Sequence, residues 1–274
     1  MKRALRRGLE SPIDQEELQR DHQSQARTML ADAGVEDATT ATIWARLSEG
    51  YFLRHSPREI AWHTQVLAGR PEGADDPVVS VQAESDRGTT AIMTYAPHRQ
   101  NGFARTTAVL DQLGLSIVDA RITPTRDGNS IDVYHVLEDD GSSIADPERL
   151  EEIDLALRRS LRASADAQLF VSRRAPRQVR LFNTRTQIAV SVDERNQRSV
   201  LEITAADRPG LLCDIGKVMM DERIDLLGAK IVTVGERAED VFYVSTRGAG
   251  PLPTETAERL VAKLTDALDA RRAA

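Results

Sequence analysis

The chain contains a single cysteine, Cys213, so no disulfide can form within it, which suits a reducing compartment. Aromatic side chains are scarce at 4%, with only two tryptophans, so any core must be built mainly from aliphatic residues. No excess of positive charge is present: 43 acidic residues outweigh 36 basic ones, for a net charge of −7. That balance argues against nucleic acid as a partner, because phosphate backbones require a basic face. No apolar run approaches the roughly 20 residues needed to cross a bilayer, so no membrane association is expected. The start, MKRALRRGLESPID, is basic but lacks the apolar centre of a secretory signal. These absences lead us to expect a cytoplasmic protein, and 274 residues leave room for two domains.

What is present is a repeat. The stretch AADRPGLLCDIGKVMM, Ala205 to Met220, runs from a strand-like apolar segment through Asp-Arg-Pro-Gly into helical spacing. At a shift of 109 positions, TAIMTYAPHRQNGF (Thr90 to Phe103) falls on this region: Ala91 meets Val200, Ile92 meets Leu201, Thr94 meets Ile203 and Phe103 meets Leu212. The same shift sets Ala120, Arg121 and Ile122 on Ala229, Lys230 and Ile231. After a one-residue slip, IDVYHV (Ile131 to Val136) falls on EDVFYV (Glu239 to Val244). Two copies of one unit account for these matches.

Each copy reads alike. Runs rich in β-branched residues predict strands near 90–96 and 199–205. A helix follows, its apolar face being Phe103, Val109, Leu110 and Leu113 (with Thr106 a polar interruption) in the first copy, and Leu211, Ile215 and Val218 in the second. Two more strands come next, LSIVDARIT and IDVYHVLE, then IDLLGAKIVT and EDVFYVST, turned by RDGNS and GERAE. A second helix closes each unit. One opens with Asp146 as N-cap and Pro147 at its first position, and carries Leu150, Ile153, Leu157 and Leu161. The other begins near Thr254 and carries Ala257, Leu260, Leu264 and Leu268.

This βαββα pattern is one strand short of a βαββαβ sandwich. PVVSVQAE (Pro77 to Glu84) and TQIAVSVD (Thr186 to Asp193) precede the first strands, joined to them by the tight polar turns SDRG and ERNQR. A hairpin lays each leading strand antiparallel beside the first strand, in the slot that the last strand of a ferredoxin-like sheet normally fills. Both units are therefore expected to be permuted, with the missing strand moved to the front. Residues 1–75 differ: they hold Trp44 and Trp62, expected to pack helices together, and Ser56-Pro57-Arg58-Glu59 spells a capping box with proline at the first helical position. GRPEGADDP links this segment to the first unit. A second linker, ASADAQLFVSRRAPRQVR, carries Arg173, Arg174, Arg177 and Arg180.

The DRPG turn has chemistry of its own. A helix N-terminus has unpaired N–H groups and a partial positive charge, so it favours a carboxylate. Gly210 allows close backbone approach, and Pro209 loses nothing by lacking an N–H in the first turn. Asp207 either takes an ammonium group, which together with the helix N-terminus suits an amino acid, or merely caps the helix while Pro-Gly shapes the turn. Cys213 lies off the Leu211/Ile215/Val218 face, which predicts a half-exposed helix residue; Tyr134 and His135 read as sheet residues.

The repeated βαββα pattern with DRPGLL resembles the ACT domain, a small amino-acid-sensing module found beside metabolic enzymes. LDQLGLSIVDARITPTRDG, LGAKIVTVGERAEDVFYV and YFLRHSPREIAWHT further resemble the C-terminal part of the bifunctional PII uridylyltransferase/uridylyl-removing enzyme family. The likeness covers nearly the whole chain, and ALRRGLESPID resembles the segment where that family's HD domain ends. The resemblance implies an α+β fold: two tandem ferredoxin-like (ACT) βαββαβ-type sandwiches, permuted with a leading strand and preceded by a helical segment. The domains implied are a helical segment at 1–75, a first ACT domain at 76–165, a linker at 166–185 and a second ACT domain at 186–274.

In that family the nucleotidyltransferase domain needs a Gly-Ser turn and paired carboxylates, and the HD hydrolase needs adjacent His-Asp. No stretch here matches the nucleotidyltransferase motif as a whole, and none of the five histidines, His22, His55, His63, His98 and His135, is followed by Asp. The resemblance thus implies that both active sites lie upstream, that this chain alone catalyses nothing and holds no metal or cofactor, and that Mg²⁺ and UTP serve the longer parent enzyme. ACT modules bind their effector at the loop between first strand and first helix, where two modules pair side by side. Carried over, this implies a ligand site at Asp207, Arg208, Pro209, Gly210, Leu211 and Leu212, with His98, Asn101, Gly102 and Phe103 at the equivalent loop of the first copy. There the pattern departs: His98, Gln100 and Asn101 stand where Asp, Pro and Gly are expected.

The function implied is sensing of L-glutamine, biasing the parent between uridylylation of the PII protein and uridylyl removal. The partners implied are glutamine, PII through the full-length enzyme, the upstream nucleotidyltransferase and HD domains, and a second copy in a homodimer. The alternative is an interaction or dimerisation module without a ligand. A nucleic-acid role on the related RNA-recognition topology is disfavoured, because Phe242 and Tyr243 have acidic neighbours.

Overall fold

The structure, a computed structural model, describes residues 12–71, 74, 76–83, 85, 88–98, 102–163, 184–234, 237–246 and 250–270. The chain divides into two compact units, Met1–Asp75 with Pro124–Asn129, and Asp76–Thr123 with Ser130–Ala274. The basic linker with Arg173, Arg174, Arg177 and Arg180 lies outside the described residues.

The first unit is helical: α1 (Pro12–Asp32), α2 (Asp37–Trp44), α3 (Glu49–Arg54) and α4 (Pro57–Ala68). The capping box forms as its sequence dictates, with the Ser56 hydroxyl accepting from the Glu59 N–H and the Glu59 carboxylate accepting from the Ser56 N–H at 2.8 Å. Trp44 packs edge-on to Phe52, and its indole N–H donates to the Thr64 hydroxyl at 2.9 Å. Tyr51 is fully buried, its hydroxyl 2.8 Å from Nδ1 of His63. Each polar tip of these large side chains thus finds a partner inside the helical core.

The second unit holds the repeat. Its first module is β1 (Val78–Gln82), β2 (Thr90–Pro97), α5 (Gly102–Gln112), β3 (Ser116–Pro124), β4 (Asn129–Leu137) and α6 (Pro147–Arg162). Its second is β5 (Gln187–Asp193), β6 (Arg198–Ala206), α7 (Leu211–Asp221), β7 (Ile224–Lys230), the short β8 (Thr233–Val234), β9 (Arg237–Thr246) and α8 (Thr254–Ala270). The leading strands take the slots expected of them: β1 runs antiparallel to β2 with Val79 opposite Thr94, and β5 antiparallel to β6 with Val190 opposite Leu201. Both modules are therefore permuted ferredoxin-like sandwiches.

Among the described residues all nine strands belong to one sheet, in the order β1-β2-β4-β3-β7-β9-β6-β5, with β8 beside β9. The join between modules is β3 against β7, antiparallel, with Asp119 opposite Lys230, Ala120 opposite Ala229 and Arg121 opposite Gly228. Because Ala120 and Ala229 are also repeat equivalents, this register is its own image under exchange of the two modules. A pseudo-dyad therefore passes between these alanines. It brings α5 against α7 in the layer above the sheet, with α6 and α8 packed on their outer sides.

One apolar cluster runs through both modules, including Ile92, Leu110, Tyr134 and Ile153 from the first and Leu201, Ile215, Phe242 and Leu260 from the second. Leu211 and Ile215 are buried and Val218 half-buried, as the helical spacing requires. Cys213 departs from its sequence expectation: it is only 2% exposed. The apolar face facing the sheet does not include it, but α7 is also covered on its sides by α5 and α8, so a helix that reads as one-sided is buried more widely.

The contact between α5 and α7 depends on Gly216. A Cβ at this position lies 3.0 Å from Cβ of Ala104 and 3.0 Å from the Phe103 ring, closer than carbon atoms tolerate. Neither neighbour is a flexible chain end, so the helices must separate to admit a side chain. We expect Gly216→Val to lower stability by about 1–3 kcal/mol through overpacking, read by denaturant unfolding of the whole chain. Unchanged stability would show that the helix pair can spread freely.

Candidate functional site

The β3–β7 seam sets the loop of each module across from the other module. The loop after β6 contributes Asp207, Arg208 and Pro209, with Leu211 and Leu212 at the start of α7; facing them are Thr107 and Asp111 of α5 and Leu115, Ser116 and Ile117. In the equivalent cleft, Pro97, His98, Gly102 and Phe103 face Gly216 and Met219 of α7 and Ile224, Asp225 and Leu226. The repeat shift converts Thr107, Ser116 and Ile117 of one facing wall into Gly216, Asp225 and Leu226 of the other. The two clefts, of about 330 Å³ and 50 Å³, are pseudo-dyad mates of unequal size. Of the loop residues singled out by sequence, Asn101 lies outside the described residues; the others named line a cleft, except Gly210.

Gly210 is the N-cap of α7 and has φ of 81°, a left-handed conformation that glycine adopts without penalty. The turn is closed by the Leu211 N–H donating to the Arg208 carbonyl at 3.2 Å. Asp207 does not cap the helix: it accepts from the Thr233 hydroxyl at 3.2 Å, and α7 has no side-chain cap. Burial, only partly offset by that hydrogen bond, raises the Asp207 carboxyl above its ordinary range. Arg208 turns back on its own helix, with Nη2 2.9 Å from Oδ2 of Asp214. The Gly210 N–H donates to the Asp111 carboxylate on α5 of the first module, so part of the positive helix end is already met by an anion from across the seam.

Three carboxyls escaped the sequence reading: Asp111, Asp132 and Asp240. Asp132 on β4 and Asp240 on β9 are equivalent by the slipped repeat and line opposite clefts. On β9 the core-facing series is Ala238, Asp240, Phe242 and Val244; on β4 it is Ser130, Asp132, Tyr134 and Val136, and all eight are buried. A carboxyl set twice at an inward position of a strand was the available signal, since strand periodicity alone assigns the face. Asp111 had no such signal, because its partner is a backbone N–H in the other module.

Burial pushes the Asp132 carboxyl up to about 7, with a hydrogen bond from the Ser130 side chain pulling the other way. Asp240 is likewise pushed up to about 7, by burial first and also by the negative charge of Asp207, against a hydrogen bond from the Val232 N–H. Among the described residues no group of three or more His, Cys, Asp or Glu side chains is set to hold a metal ion, and no helix is long and apolar enough to cross a membrane.

A family model described as the fifth domain of the uridylyltransferase GlnD matches residues 14–66. The chain is 40% identical over 255 residues to the bifunctional uridylyltransferase/uridylyl-removing enzyme of Pseudomonas putida strain F1, which covers 92% of this chain and 28% of that protein. The enzyme of the same description from Pseudomonas aeruginosa strain LESB58 is 40% identical over 272 residues, covering 97% of this chain and 30% of its own length. The matching part is the C-terminal region of these enzymes, so the chain spans less than a third of their length. Among solved structures, aspartate kinase from Synechocystis aligns over 66% of this chain and 27% of its own, with a TM-score of 0.35 and 14% identity, too slight a likeness to bear on the fold.

The raised carboxyls have a measurable consequence. With folded values near 7 against an ordinary 3.8, the folded chain retains protons that the unfolded chain releases. Stability contributed by these groups is therefore present below about pH 4, declines as pH rises through the window to about 7 and stays lost above it. We expect the thermal midpoint to fall by several degrees between about pH 5.5 and 8, and the double variant Asp132→Asn/Asp240→Asn to flatten that slope, as read by scanning calorimetry. A slope unchanged in the double variant would assign the effect to other groups.

Proposed function

We propose, for a chain related over nearly its whole length to the C-terminal region of the bifunctional uridylyltransferase/uridylyl-removing enzymes, that the paired modules form a regulatory sensor of L-glutamine. The observation that carries this reading is the placement of the DRPGLL loop in a cleft between two ACT-type modules, with carboxyls and a helix N-terminus on its walls. A zwitterion finds both of its charges answered there. Asp207 faces the cleft as an acceptor for an ammonium group, and the start of α7 favours a carboxylate. The modules are taken to span 76–165 and 186–274.

Regulation needs an effector that binds two arrangements of the modules unequally. The Asp111 contact supplies a physical route. The effector's carboxylate competes with the Asp111 carboxylate for the Gly210 N–H, and Asp111 and Gly210 sit on different modules. Occupancy of the cleft therefore alters a tie between α5 and the start of α7. In the longer enzyme this would shift the balance from uridylylation of PII towards uridylyl removal, in the cytoplasm, with Mg²⁺ and UTP used by upstream catalytic domains.

One observation favours the second reading, an interaction module without a ligand. Asp111 already satisfies the Gly210 N–H and Asp214 already neutralises Arg208, so the turn is self-sufficient as it stands. Isothermal titration of the whole chain separates the two. We expect saturable heat with L-glutamine and none with L-glutamate, and an affinity about 10-fold or more weaker in Asp207→Ala, the size of a lost hydrogen bond to a charged group. A flat glutamine titration of the folded chain supports the interaction module instead.

A further inference from the structure

The loop motif leaves unexplained the two carboxyls on the strands beneath it. Asp132 is 6% exposed and its Oδ1 has no hydrogen-bond partner in the protein; Asp240 is 1% exposed and its Oδ2 has none. Among the described residues neither enters an ion pair. Such a group is costly to bury, and an aliphatic residue would serve the core better. Yet the cost is borne twice, at repeat-equivalent positions, each time on the wall of a cleft between modules. Packing gives no reason for this repetition; a ligand does.

We infer that Asp132 and Asp240 are the buried amine anchors of the sensor, each accepting a hydrogen bond from the α-ammonium group of an amino acid in its own cleft, Asp240 doing so together with Asp207, so that one chain holds two effector molecules. This rests on the sensing reading above and adds to it the recognising groups and the number of sites. In the second cleft an ammonium group fits better than a neutral amide because the surroundings are anionic. Around Asp240 the cleft presents Asp207, Asp111 and Asp139, while the one cation among its described lining residues, Arg208, is held by Asp214. Arg237 and Glu239, on the opposite face of β9, pair with each other. Around Asp132 stand Asp225, His98 and Arg105; Arg105 donates to the neutral Ser160 carbonyl at 3.2 Å and keeps its charge, so here the anchoring carboxyl rests on its unpartnered oxygen rather than on an anionic field.

The anchoring carboxyl must be ionised to hold the ammonium group. With values near 7 for both, each is largely protonated below neutrality, and it releases its proton to solvent as the effector arrives. Binding is therefore expected to tighten as pH rises from about 6 to 8 and to liberate protons near pH 7.

The test is calorimetric titration of the whole chain with L-glutamine near pH 7, in phosphate and in Tris, whose different ionisation heats report proton release. Glutaramate, which lacks only the amine, serves as the second probe. We expect two equivalents of glutamine with proton release in the wild type, and binding of glutaramate about 10-fold or more weaker. Asp132→Asn and Asp240→Asn should each weaken one site by a similar factor, abolish its proton release and leave it no longer discriminating glutamine from glutaramate. A merely structural carboxyl would move neither the proton count nor that discrimination. The glutaramate and buffer comparisons need no variant, so the inference stands or falls even where a substitution prevents folding. Glutamine binding at a single equivalent, or without proton release, or equally to both Asn variants and the wild type, overturns this assignment while the sensor survives. A folded wild type that takes no glutamine overturns both.

Discussion

Everything in the second unit depends on the antiparallel pairing of β3 with β7. Each strand is the outer edge of its own module, and an unpaired edge is a standing invitation to aggregate. Joining the two edges removes both hazards at once and makes one sheet of two modules. The register chosen, Ala120 opposite Ala229, is the one that maps onto itself when the modules are exchanged. Small side chains at this point keep the two backbones and the helices above them close, and Gly216 on α7 lets α5 approach to contact distance. The clefts are a by-product of that symmetry. Once β3 lies against β7, the loop preceding the first helix of each module must face the start of the other module's second-hairpin strand.

Electrostatics then distinguishes the two clefts. The repeat places Asp225 where the other cleft has Ser116, and Arg105 in α5 where α7 has Asp214. In the second module Asp214 reaches back to hold Arg208; a guanidinium at the corresponding place in α5 is directed instead to the Ser160 carbonyl on α6. The shared elements, a buried strand carboxyl and a helix N-terminus, set a common chemistry, while these substitutions set its local field. Because the walls of each cleft come from both modules, any ligand between them acts on the seam itself.

Much of this was legible from residue order, and for local reasons. The leading strands declared themselves through short polar turns, since ERNQR leaves a hairpin as the simplest return path for the chain, and β5 and β6 pair accordingly. The Ser56 box and the Asp146-Pro147 cap are written in four and two adjacent residues, and both form. The repeat shift itself anticipated which residues would be dyad mates. What stayed hidden was non-local. Capping, one of the two readings open for Asp207, is a matter of sequence spacing, but the partner it finds is Thr233, a strand and a helix away. Asp111 answers a backbone N–H 99 positions along the chain. Cys213 looked half-exposed because one helix face accounts for burial against a sheet, not for helices on either side.

The pseudo-dyad joins copies that are not identical, and this sets the tandem arrangement apart from a symmetric pair. In a homodimer of single modules every substitution appears on both sides of the axis, so the two grooves must drift together. Covalent duplication frees them. Asp225 can replace the serine of one groove without touching its mate, and the Pro-Gly turn can be kept on one side while His98 enters on the other. A gene carrying both halves can therefore alter the chemistry of one groove while leaving its mate unchanged, a freedom that identical subunits reach only by breaking their own symmetry.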